Sequence, residues 1–230
     1  MLLENKIAIV TGGSRGIGFA TVKAFLKEGA TVVLCASRQA TADKAIAELK
    51  AEMPDAKVSA ILPDLSDSES IKAAFDAVAA EYGRIDILVN NAGVSEDTPF
   101  VNYTDETFDK VIDLNVKGMY KCTRAVVDHM ISAGSGVILN TSSMVSISGQ
   151  PSGMAYPTSK FAVNGLTLSL ARELGPKGIR VCAVAPGIIN TDMMLIVMAS
   201  VMVFGICIAV TCAYFSINRY LRMKTDTLYR

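Results

Sequence analysis

Short runs of apolar residues alternate with longer, partly polar stretches along most of this chain. The apolar runs predict six strands, at residues 6–10, 31–35, 58–62, 85–89, 137–141 and 179–184. Apolar residues recurring every three or four positions predict helices between them, after the first strand, at 41–52, around 71–78, at 104–132 and from 156 to about 174. Ser66 or Ser68 is expected to cap the third helix. Strands that are apolar at almost every position are buried on both faces. The pattern therefore predicts an α/β fold with a doubly wound parallel sheet.

The composition fits one sizeable domain within the 230 residues. Lys+Arg and Asp+Glu balance at 22 each, so no nucleic-acid partner is predicted. The five cysteines are scattered, and the only histidine, His129, has no second histidine beside it, so no metal site is expected. The N-terminus lacks a basic segment followed by an apolar stretch. We therefore expect no signal peptide and a reducing, cytoplasmic location for this domain.

One segment near the C-terminus departs from this composition. Residues 195–217 are 23 consecutive positions without a charge, in a chain that is already 51% hydrophobic. A helix of that length would measure about 34 Å, enough to cross a bilayer core of about 30 Å. We therefore predict a folded domain at 1–194, an apolar transmembrane helix at 195–217 that anchors it to a membrane, and a short basic tail at 218–230.

Two other interpretations of residues 195–217 stay open. The segment is also compatible with a buried helix that covers the sheet, although its apolar character on all faces favours a membrane. Alternatively the chain is a chimera, in which the abrupt change near Met194 joins the domain to an unrelated membrane protein. The orientation of an anchor is ambiguous as well. The positive-inside rule places the basic tail in the cytosol, where the domain is also expected, and a single span cannot put both there.

A glycine-rich turn follows the first predicted strand and opens a helix. It runs from Thr11 to Gly18 and reads TGGSRGIG. Glycines allow backbone N–H groups to approach a phosphate closely, and the helix N-terminus stabilises its charge. This context favours a nucleotide-binding turn, although glycine-rich turns also serve purely as tight strand-to-helix connections.

Tyr156 and Lys160 lie four residues apart at the start of the last predicted helix, and they therefore share one helix face. A free tyrosine loses its proton near pH 10, and a neighbouring ammonium group favours the phenolate. Together with a nucleotide-binding turn, such a pair indicates hydride-transfer chemistry at a carbonyl or alcohol group. The alternative is that Tyr156 and Pro157 only begin the helix, since proline suits the first helical position.

With these motifs in this order, residues 1 to about 194 resemble the short-chain dehydrogenase/reductase family, whose fold is Rossmann-like. Besides the glycine-rich turn, the matching positions are Asp64, Asn90–Gly93, Asn115, Ser143, Tyr156, Lys160, Pro186, Gly187 and Thr191. Within the family the chain is most similar to the 3-oxoacyl-acyl-carrier-protein reductase and hydroxysteroid dehydrogenase groups. The resemblance implies an oxidoreductase that transfers a hydride between a nicotinamide cofactor and a carbonyl/alcohol substrate, such as a 3-oxoacyl thioester, a ketosteroid or a small ketone.

The resemblance implies four catalytic residues. Tyr156 would exchange a proton with the substrate oxygen, supported by Lys160. Ser143 would donate a hydrogen bond to the same oxygen, and Asn115 would hold a water that links Lys160 to solvent. Ser142 suits the serine role less well, because its spacing to Tyr156 differs by one residue. Taken singly, the serine and the asparagine are better explained as ordinary turn and helix positions, but the complete set of motifs reverses that interpretation.

Cofactor contacts are implied for a larger set of residues. They are Gly12, Ser14, Arg15, Gly16, Ile17, Gly18, Ser37, Arg38, Asp64, Leu65, Asn91, Ala92, Gly93, Tyr156, Lys160, Pro186, Gly187, Ile189 and Thr191. Ser37 and Arg38 follow the end of the second strand, where NAD-selective relatives place an acidic residue. Arg38 and Arg15 suit a 2′-phosphate, which arginine binds bidentately. We therefore predict NADP(H), with NAD(H) as the alternative if Arg38 is merely a solvated charge.

The C-terminal segment also affects the functional prediction. Family members continue past Thr191 with a substrate-covering helix pair, a further helix and a last strand, and residues 195–217 stand in their place. The sixth strand would then be an unpaired edge, and the pocket would lack its lid. The alternative function is therefore a membrane-tethered nucleotide-binding pseudoenzyme or an impaired chimeric fragment. The resemblance also implies a homodimer built on the long helix and the Tyr156 helix.

Overall fold

In the computed structural model, which describes residues 1–187 and Ile189, six parallel strands form one sheet. The strands are β1 (Ile7–Thr11), β2 (Thr31–Cys35), β3 (Val58–Ile61), β4 (Ile87–Asn90), β5 (Gly136–Thr141) and β6 (Ile179–Val184). Their order across the sheet is β3–β2–β1–β4–β5–β6, and all neighbouring pairs are parallel. Every residue of β1 and β4 is buried, because helices cover both faces of the sheet centre. The predicted Rossmann-like α/β fold is thereby confirmed.

Helices connect the strands in the part of the chain that the structure describes. They are α1 (Gly16–Lys27), α2 (Gln39–Glu52), α3 (Ser68–Tyr82), α4 (Asp105–Ile112), α5 (Met119–Ser132), the single-turn α6 (Val145–Ser148) and α7 (Ala155–Leu174). The strand and helix bounds predicted from hydrophobic periodicity lie within two residues of these ends, except that α3 extends further at both ends than predicted. The sequence did not predict α6, because four residues are too few to show a helical period.

The core consists of two apolar clusters, one on each face of the sheet. Successive strand residues point to opposite faces, so Ile9 of β1 packs in one cluster with Phe75 of α3 and Val126 of α5. Val10, the next residue, packs in the other cluster with Val22 of α1. All five side chains are fully buried. The periodic apolar positions of the sequence are therefore the positions that attach the helices to the sheet.

The predicted helix over 104–132 contains a break in its geometry. Asp113–Gly118, between α4 and α5, form a π-helical segment that carries Asn115. A π turn holds one extra residue, and such turns occur frequently at functional sites. Sequence periodicity did not predict it, because one added residue shifts the pattern only locally.

The predicted cap of α3 was wrong. Asp67, and not Ser66 or Ser68, is the capping residue: its backbone is extended and its carboxylate accepts hydrogen bonds from the N–H groups of Glu69 and Ser70. Ser66 instead bonds the carboxylate of Asp64. The aspartate is preferred because a carboxylate also interacts favourably with the positive helix N-terminus.

A chain of buried polar side chains ties two helices to the centre of the sheet. The amide nitrogen of Asn90, at the end of β4, donates to Thr123 of α5 at 3.0 Å and to Asn140 of β5 at 2.9 Å. Asn140 donates in turn to Thr167 of α7 at 2.9 Å. Because buried polar groups are costly when unpaired, these bonds favour one register of α5 and α7 against the sheet.

The C-terminal predictions concern residues outside those described. The chain divides into a compact unit Met1–Gly187 and a second unit Ile188–Arg230. The apolar segment 195–217, the tail 218–230 and the region of the expected missing strand and lid all fall in the second unit. Between residues 1 and 187, no helix is both long and apolar enough to cross a membrane. Among the strands described, β6 is an edge.

Candidate active site

The candidate site lies at the carboxyl ends of the strands, at the switch point between β1 and β4. There the order of the strands reverses: β2 and β3 lie on one side of β1, and β4 to β6 lie on the other. Thr11, the last residue of β1, joins these two ends: its hydroxyl donates to Val89 at 3.2 Å and accepts from the N–H groups of Asn91 and Ala92 at 2.9 and 3.0 Å. The side chain of Asn91 also donates to the carbonyl groups of Thr11 and Gly12. Ligands of open α/β sheets bind at such a switch point.

The glycine-rich turn is packed too closely for side chains. Gly12 has a φ of +63°, a conformation that glycine adopts without strain. A Cβ at Gly18 would lie 2.2 Å from the carbonyl oxygen of Gly12 and 2.6 Å from the amide nitrogen of Asn91. The helix α1 has no side-chain cap and no acidic residue in its first turn, so its N-terminal N–H groups are available to an anion. These features fit the pyrophosphate of a dinucleotide.

One arginine lies within this turn and a second lies beside it. The N–H of Gly13 donates to the carbonyl of Cys35 at 3.1 Å, which brings the turn against the end of β2. Arg15, inside the turn, and Ser37 and Arg38, after β2, are all exposed. None of the ion pairs among residues 1–187 includes Arg15 or Arg38. Both guanidinium groups are therefore free to bind a phosphate.

Asp64 and Leu65 follow β3 at the same end of the sheet. One carboxylate oxygen of Asp64 accepts from the N–H and the hydroxyl of Ser66 at 2.8 and 2.7 Å. These hydrogen bonds, and to a smaller extent Lys121, hold the pKa of Asp64 below its ordinary value. The carboxylate is exposed and fixed in direction, as an adenine contact would require. Leu65 packs against the core cluster that contains Phe75.

Asn115 is a buried structural link at the floor of the site. Its side-chain oxygen accepts from the N–H of Val94 at 2.9 Å, and its side-chain nitrogen donates to the carbonyl of Val94 at 2.8 Å and to the hydroxyl of Ser159 at 3.0 Å. Ser159 donates to the carbonyl of Tyr156 at 2.7 Å. Gly93 lies directly above, because a Cβ there would be 3.0 Å from the Asn115 oxygen. Both the side-chain oxygen and the side-chain nitrogen of Asn115 thus have protein partners.

Tyr156 and Lys160 lie on one face of α7, as their spacing predicts. The ammonium nitrogen of Lys160 is 5.6 Å from the centroid of the Tyr156 ring, and it donates to the carbonyl of Thr141, at the end of β5, at 2.7 Å. Lys160 is buried, and burial lowers its pKa from 10.5 to about 8. Within the described residues it has no carboxylate partner. A backbone oxygen, that of Thr141, therefore holds the ammonium beside the Tyr156 ring.

The two serines after β5 differ in what they contact. The hydroxyl of Ser142 is buried and donates to the carbonyl of Lys160 at 3.2 Å. Among the described residues, the hydroxyl of Ser143 has one long contact, 3.4 Å, from the N–H of Val145. Ser143 is therefore the serine whose hydroxyl is available to donate to a substrate, as its spacing to Tyr156 predicts.

The loop after β6 reaches the same region. The carbonyl of Pro186 accepts from the N–H of Met144 at 2.9 Å, and Gly187 lies near the Met144 side chain. Ile189 is exposed. Thr191, the remaining predicted cofactor contact, lies outside the described residues.

Sequence reasoning missed three residues that complete this arrangement. Thr11 joins β1 to β4, Thr141 binds the Lys160 ammonium, and the fully buried Ser159 connects Asn115 to α7. Serine and threonine at strand ends and in helices are common, so nothing in their local sequence distinguishes them. Their partners are up to 81 residues away in the chain.

The burial of Lys160 leads to a prediction about stability. Between pH 8 and 10.5 the unfolded chain keeps a proton on this lysine that the folded chain has lost, so stability rises with pH in this window. Relative to Lys160→Met, the wild type should gain up to about 3 kcal/mol of unfolding free energy as pH rises through the window, and lose it again as pH falls through 8. Denaturant unfolding of both proteins at pH 7, 8, 9 and 10 measures the difference. A difference independent of pH would contradict the burial of the ammonium.

The chain matches proteins of known activity over most of its length. The family model of the short chain dehydrogenases matches residues 6–199. A 3alpha-hydroxysteroid dehydrogenase of Mediterraneibacter gnavus is 59% identical over 193 residues, which is 84% of this chain and 77% of that protein. The 3-oxoacyl-acyl-carrier-protein reductase of Chlamydia muridarum is 42% identical, over 84% of this chain and 77% of that protein.

A solved structure shows the same arrangement of the sheet. NAD⁺-bound xylitol dehydrogenase superposes with a TM-score of 0.80 at 32% identity, over 84% of this chain and 74% of its own. The parallel sheet, the glycine-rich turn and the Tyr156–Lys160 pair thus occur together with a family match over most of the sequence. The chain belongs to the short-chain dehydrogenase family and is an NAD(P)-dependent oxidoreductase that acts on CH–OH groups.

Proposed function

We propose that this protein interconverts a secondary alcohol and a ketone on an apolar ring substrate of the hydroxysteroid type, with NADP(H) as its cofactor. The observation that carries the proposal is the buried Lys160 ammonium, held 5.6 Å from the Tyr156 ring beside the carboxyl end of β5. Ser143 lies at the same end of β5 with a hydroxyl that is almost free of protein contacts. These contacts support the assignment of Tyr156 as proton donor, Lys160 as neighbouring cation and Ser143 as hydrogen-bond donor to one substrate oxygen.

In the reductive direction Tyr156 gives its phenolic proton to the carbonyl oxygen, and in the oxidative direction it takes a proton from the alcohol. Lys160 stabilises negative charge on the phenol oxygen. Ser143 donates to the substrate oxygen, which orients the substrate and stabilises the developing charge. Asn115 and Ser159 hold α7 in place through Val94 and Tyr156. The nicotinamide supplies or accepts the hydride when bound.

The preference for NADP(H) rests on charge at the end of β2. Arg38 and Arg15 are exposed and unpaired among residues 1–187, next to the turn that would hold the pyrophosphate. No acidic residue follows β2 at the position that would bind a ribose 2′-hydroxyl. Two guanidinium groups and the Ser37 hydroxyl together suit a 2′-phosphate. NAD(H) is the alternative.

The hydroxysteroid class rests on the apolar surface beside the catalytic groups. Met144 follows Ser143, Ile147 lies on α6, and Met154 precedes α7; all three side chains are exposed although they are apolar. Exposed apolar side chains next to a polar site fit a ligand with a large apolar body. The relative that is 59% identical is a 3alpha-hydroxysteroid dehydrogenase. A 3-oxoacyl thioester is the second candidate, because several relatives near 40% identity are 3-oxoacyl-acyl-carrier-protein reductases.

A substrate panel with the full chain tests this proposal. The panel contains 3-ketosteroids and 3-hydroxysteroids, a 3-oxoacyl thioester and small ketones, each with NADPH and NADH or their oxidised forms. We expect the highest kcat/KM with a 3-ketosteroid and NADPH. Tight NADPH binding without turnover of any member would instead support the alternative of a nucleotide-binding pseudoenzyme or an impaired chimera. A preference for the thioester would move the function to the second candidate.

We also propose a homodimer. Tyr120 of α5 and Phe161 and Leu168 of α7 are exposed, large and apolar, on the two helices that the family resemblance assigns to a subunit interface. A membrane anchor at 195–217 stays a prediction, because that segment lies outside the described residues.

A further inference from the structure

The first turn of α7, which carries Tyr156, has no cap of its own. Met154 is the residue before the helix, its backbone is already helical, and its side chain makes no capping bond. The N–H groups of a first turn have no partner within the helix and must find one elsewhere. These partners matter in α7 because Tyr156, the second residue of the turn, is the proposed proton donor.

A segment from another part of the chain supplies the missing partners. The N–H of Ala155 donates to the hydroxyl of Tyr103 at 3.1 Å. The N–H of Tyr156 donates to a carboxylate oxygen of Glu96 at 3.4 Å. Pro157, the third residue, has no N–H. Two side chains that lie 52 and 60 residues away in sequence thus satisfy the turn.

Glu96 is itself fixed in place by further bonds. Its second carboxylate oxygen accepts from the N–H of Thr98 at 3.0 Å, so both oxygens have backbone partners. Its carbonyl accepts from the side chain of Gln150 at 3.0 Å, and the carbonyl of Thr98 accepts from the N–H of Gly153 at 3.0 Å. The segment around Glu96 is therefore joined to the loop that leads into α7.

Both acidic and basic side chains lie near Glu96. Burial raises the pKa of Tyr103, and the hydrogen bond to Glu96 raises it further. Glu106 and Lys110 of α4 line a cavity of about 310 Å³ together with Glu96, and Lys160 lies on α7 itself. The Glu96 carboxylate is the anion in direct contact with the turn that carries Tyr156. It is stabilised by the positive N-terminus of α7, and it opposes negative charge on the phenol.

We infer that Glu96 and Tyr103 are positioning residues, which together cap α7 and hold Tyr156 in place for proton transfer. Neither residue would touch the substrate, since the Glu96 oxygens and the Tyr103 hydroxyl bind the protein. The inference rests on the proposed role of Tyr156, while the cap itself does not depend on turnover.

The experiment compares the wild type with Glu96→Ala, Glu96→Gln and Tyr103→Phe, with Asp97→Asn as a control. Asp97 is the exposed neighbour of Glu96, so this control changes the same charge without touching the cap. The first measurement is amide hydrogen exchange at Ala155 and Tyr156, which needs no activity. We expect exchange there to be about tenfold faster in Glu96→Ala and Tyr103→Phe, and unchanged in Asp97→Asn.

The second measurement is the pH dependence of alcohol oxidation. Glu96→Ala should lower kcat about tenfold with the affinity for NADPH unchanged. Glu96→Gln keeps an oxygen that accepts from the Tyr156 N–H, so it should restore most of kcat. It also removes the negative charge, and the acidic midpoint of its kcat profile should fall by about half a pH unit. A purely structural role would leave that midpoint in place.

The possible failures can be told apart. If amide exchange at Ala155 and Tyr156 were as slow in Glu96→Ala and Tyr103→Phe as in Asp97→Asn, these side chains would not cap α7. If the Glu96→Ala enzyme were as active as Asp97→Asn, the positioning role would be wrong. If the pH profile of kcat for Glu96→Gln superposed on that of Asp97→Asn, the carboxylate charge of Glu96 would have no effect on Tyr156. If the wild type showed no turnover, only the proposed function would be contradicted. The exchange measurement needs no activity and would still test whether Glu96 and Tyr103 cap α7.

Discussion

Tyr156→Phe is expected to lower kcat about a thousandfold, while NADPH binding changes by less than about threefold. The substitution removes the one oxygen that exchanges a proton with the substrate, and general acid–base catalysis contributes about a hundredfold to ten-thousandfold. The ring remains, so its contact with the Lys160 ammonium, 5.6 Å from the centroid, is kept. Steady-state rates with the best substrate of the panel, together with a fluorescence titration of NADPH, measure the two quantities separately.

Tyr120→Phe is the matched control for this change. It removes the same atom from an exposed tyrosine on α5, and we expect its kcat to equal that of the wild type. A Tyr156→Phe enzyme with full turnover would show that another group transfers the proton, and the mechanism proposed for this site would be wrong.

Arg38→Asp is expected to lower the ratio of kcat/KM for NADPH to that for NADH about a hundredfold. The guanidinium is exposed after β2 beside the glycine-rich turn, and a charge-assisted hydrogen bond to phosphate contributes about 1.5–3 kcal/mol. The aspartate repels the 2′-phosphate and offers an acceptor to the 2′-hydroxyl of NADH. Both effects change the ratio in the same direction.

The ratio is measured with the same substrate and both cofactors. Lys44→Asp is the control, since it makes the same change of charge at an exposed position of α2, away from the end of β2. A ratio that responds equally to both substitutions would mean that general charge, and not a contact with the 2′-phosphate, sets the preference. A ratio unaffected by Arg38→Asp would favour the solvated-charge interpretation of Arg38.

The sequence was a good guide wherever one short segment carries the signal. The buried strands β1 and β4 are mostly apolar, and the bounds predicted from that pattern lie within two residues of the observed ones. The glycine-rich turn could be recognised because only glycine tolerates the approach of Gly18 to the Gly12 carbonyl. The four-residue spacing of Tyr156 and Lys160 is enough to place both side chains on one helix face, where the ammonium lies near the ring.

Other parts of the site could not be predicted in this way. The spacing to Tyr156 already favoured Ser143 over Ser142, but only the structure shows the contact that occupies Ser142, whose hydroxyl donates to the Lys160 carbonyl. Asn115 was expected to hold a relay water, and nothing in the sequence indicated that its side chain also bonds Val94 and Ser159. In each case the partner comes from a distant segment of the chain, so the sequence near the residue contains no sign of it.

The sequence by itself determined the doubly wound fold, the order of the functional segments and the candidate proton-transfer pair, because periodicity, turn chemistry and helical spacing are local properties of the chain. Only the tertiary structure decided how those segments are held together. Thr11 fastens β1 to β4, Thr141 holds the Lys160 ammonium, and Glu96 with Tyr103 completes the first turn of α7. The physical reason is that a parallel sheet aligns the ends of strands that are far apart in sequence, and polar groups buried there must find hydrogen-bond partners among whatever residues arrive beside them.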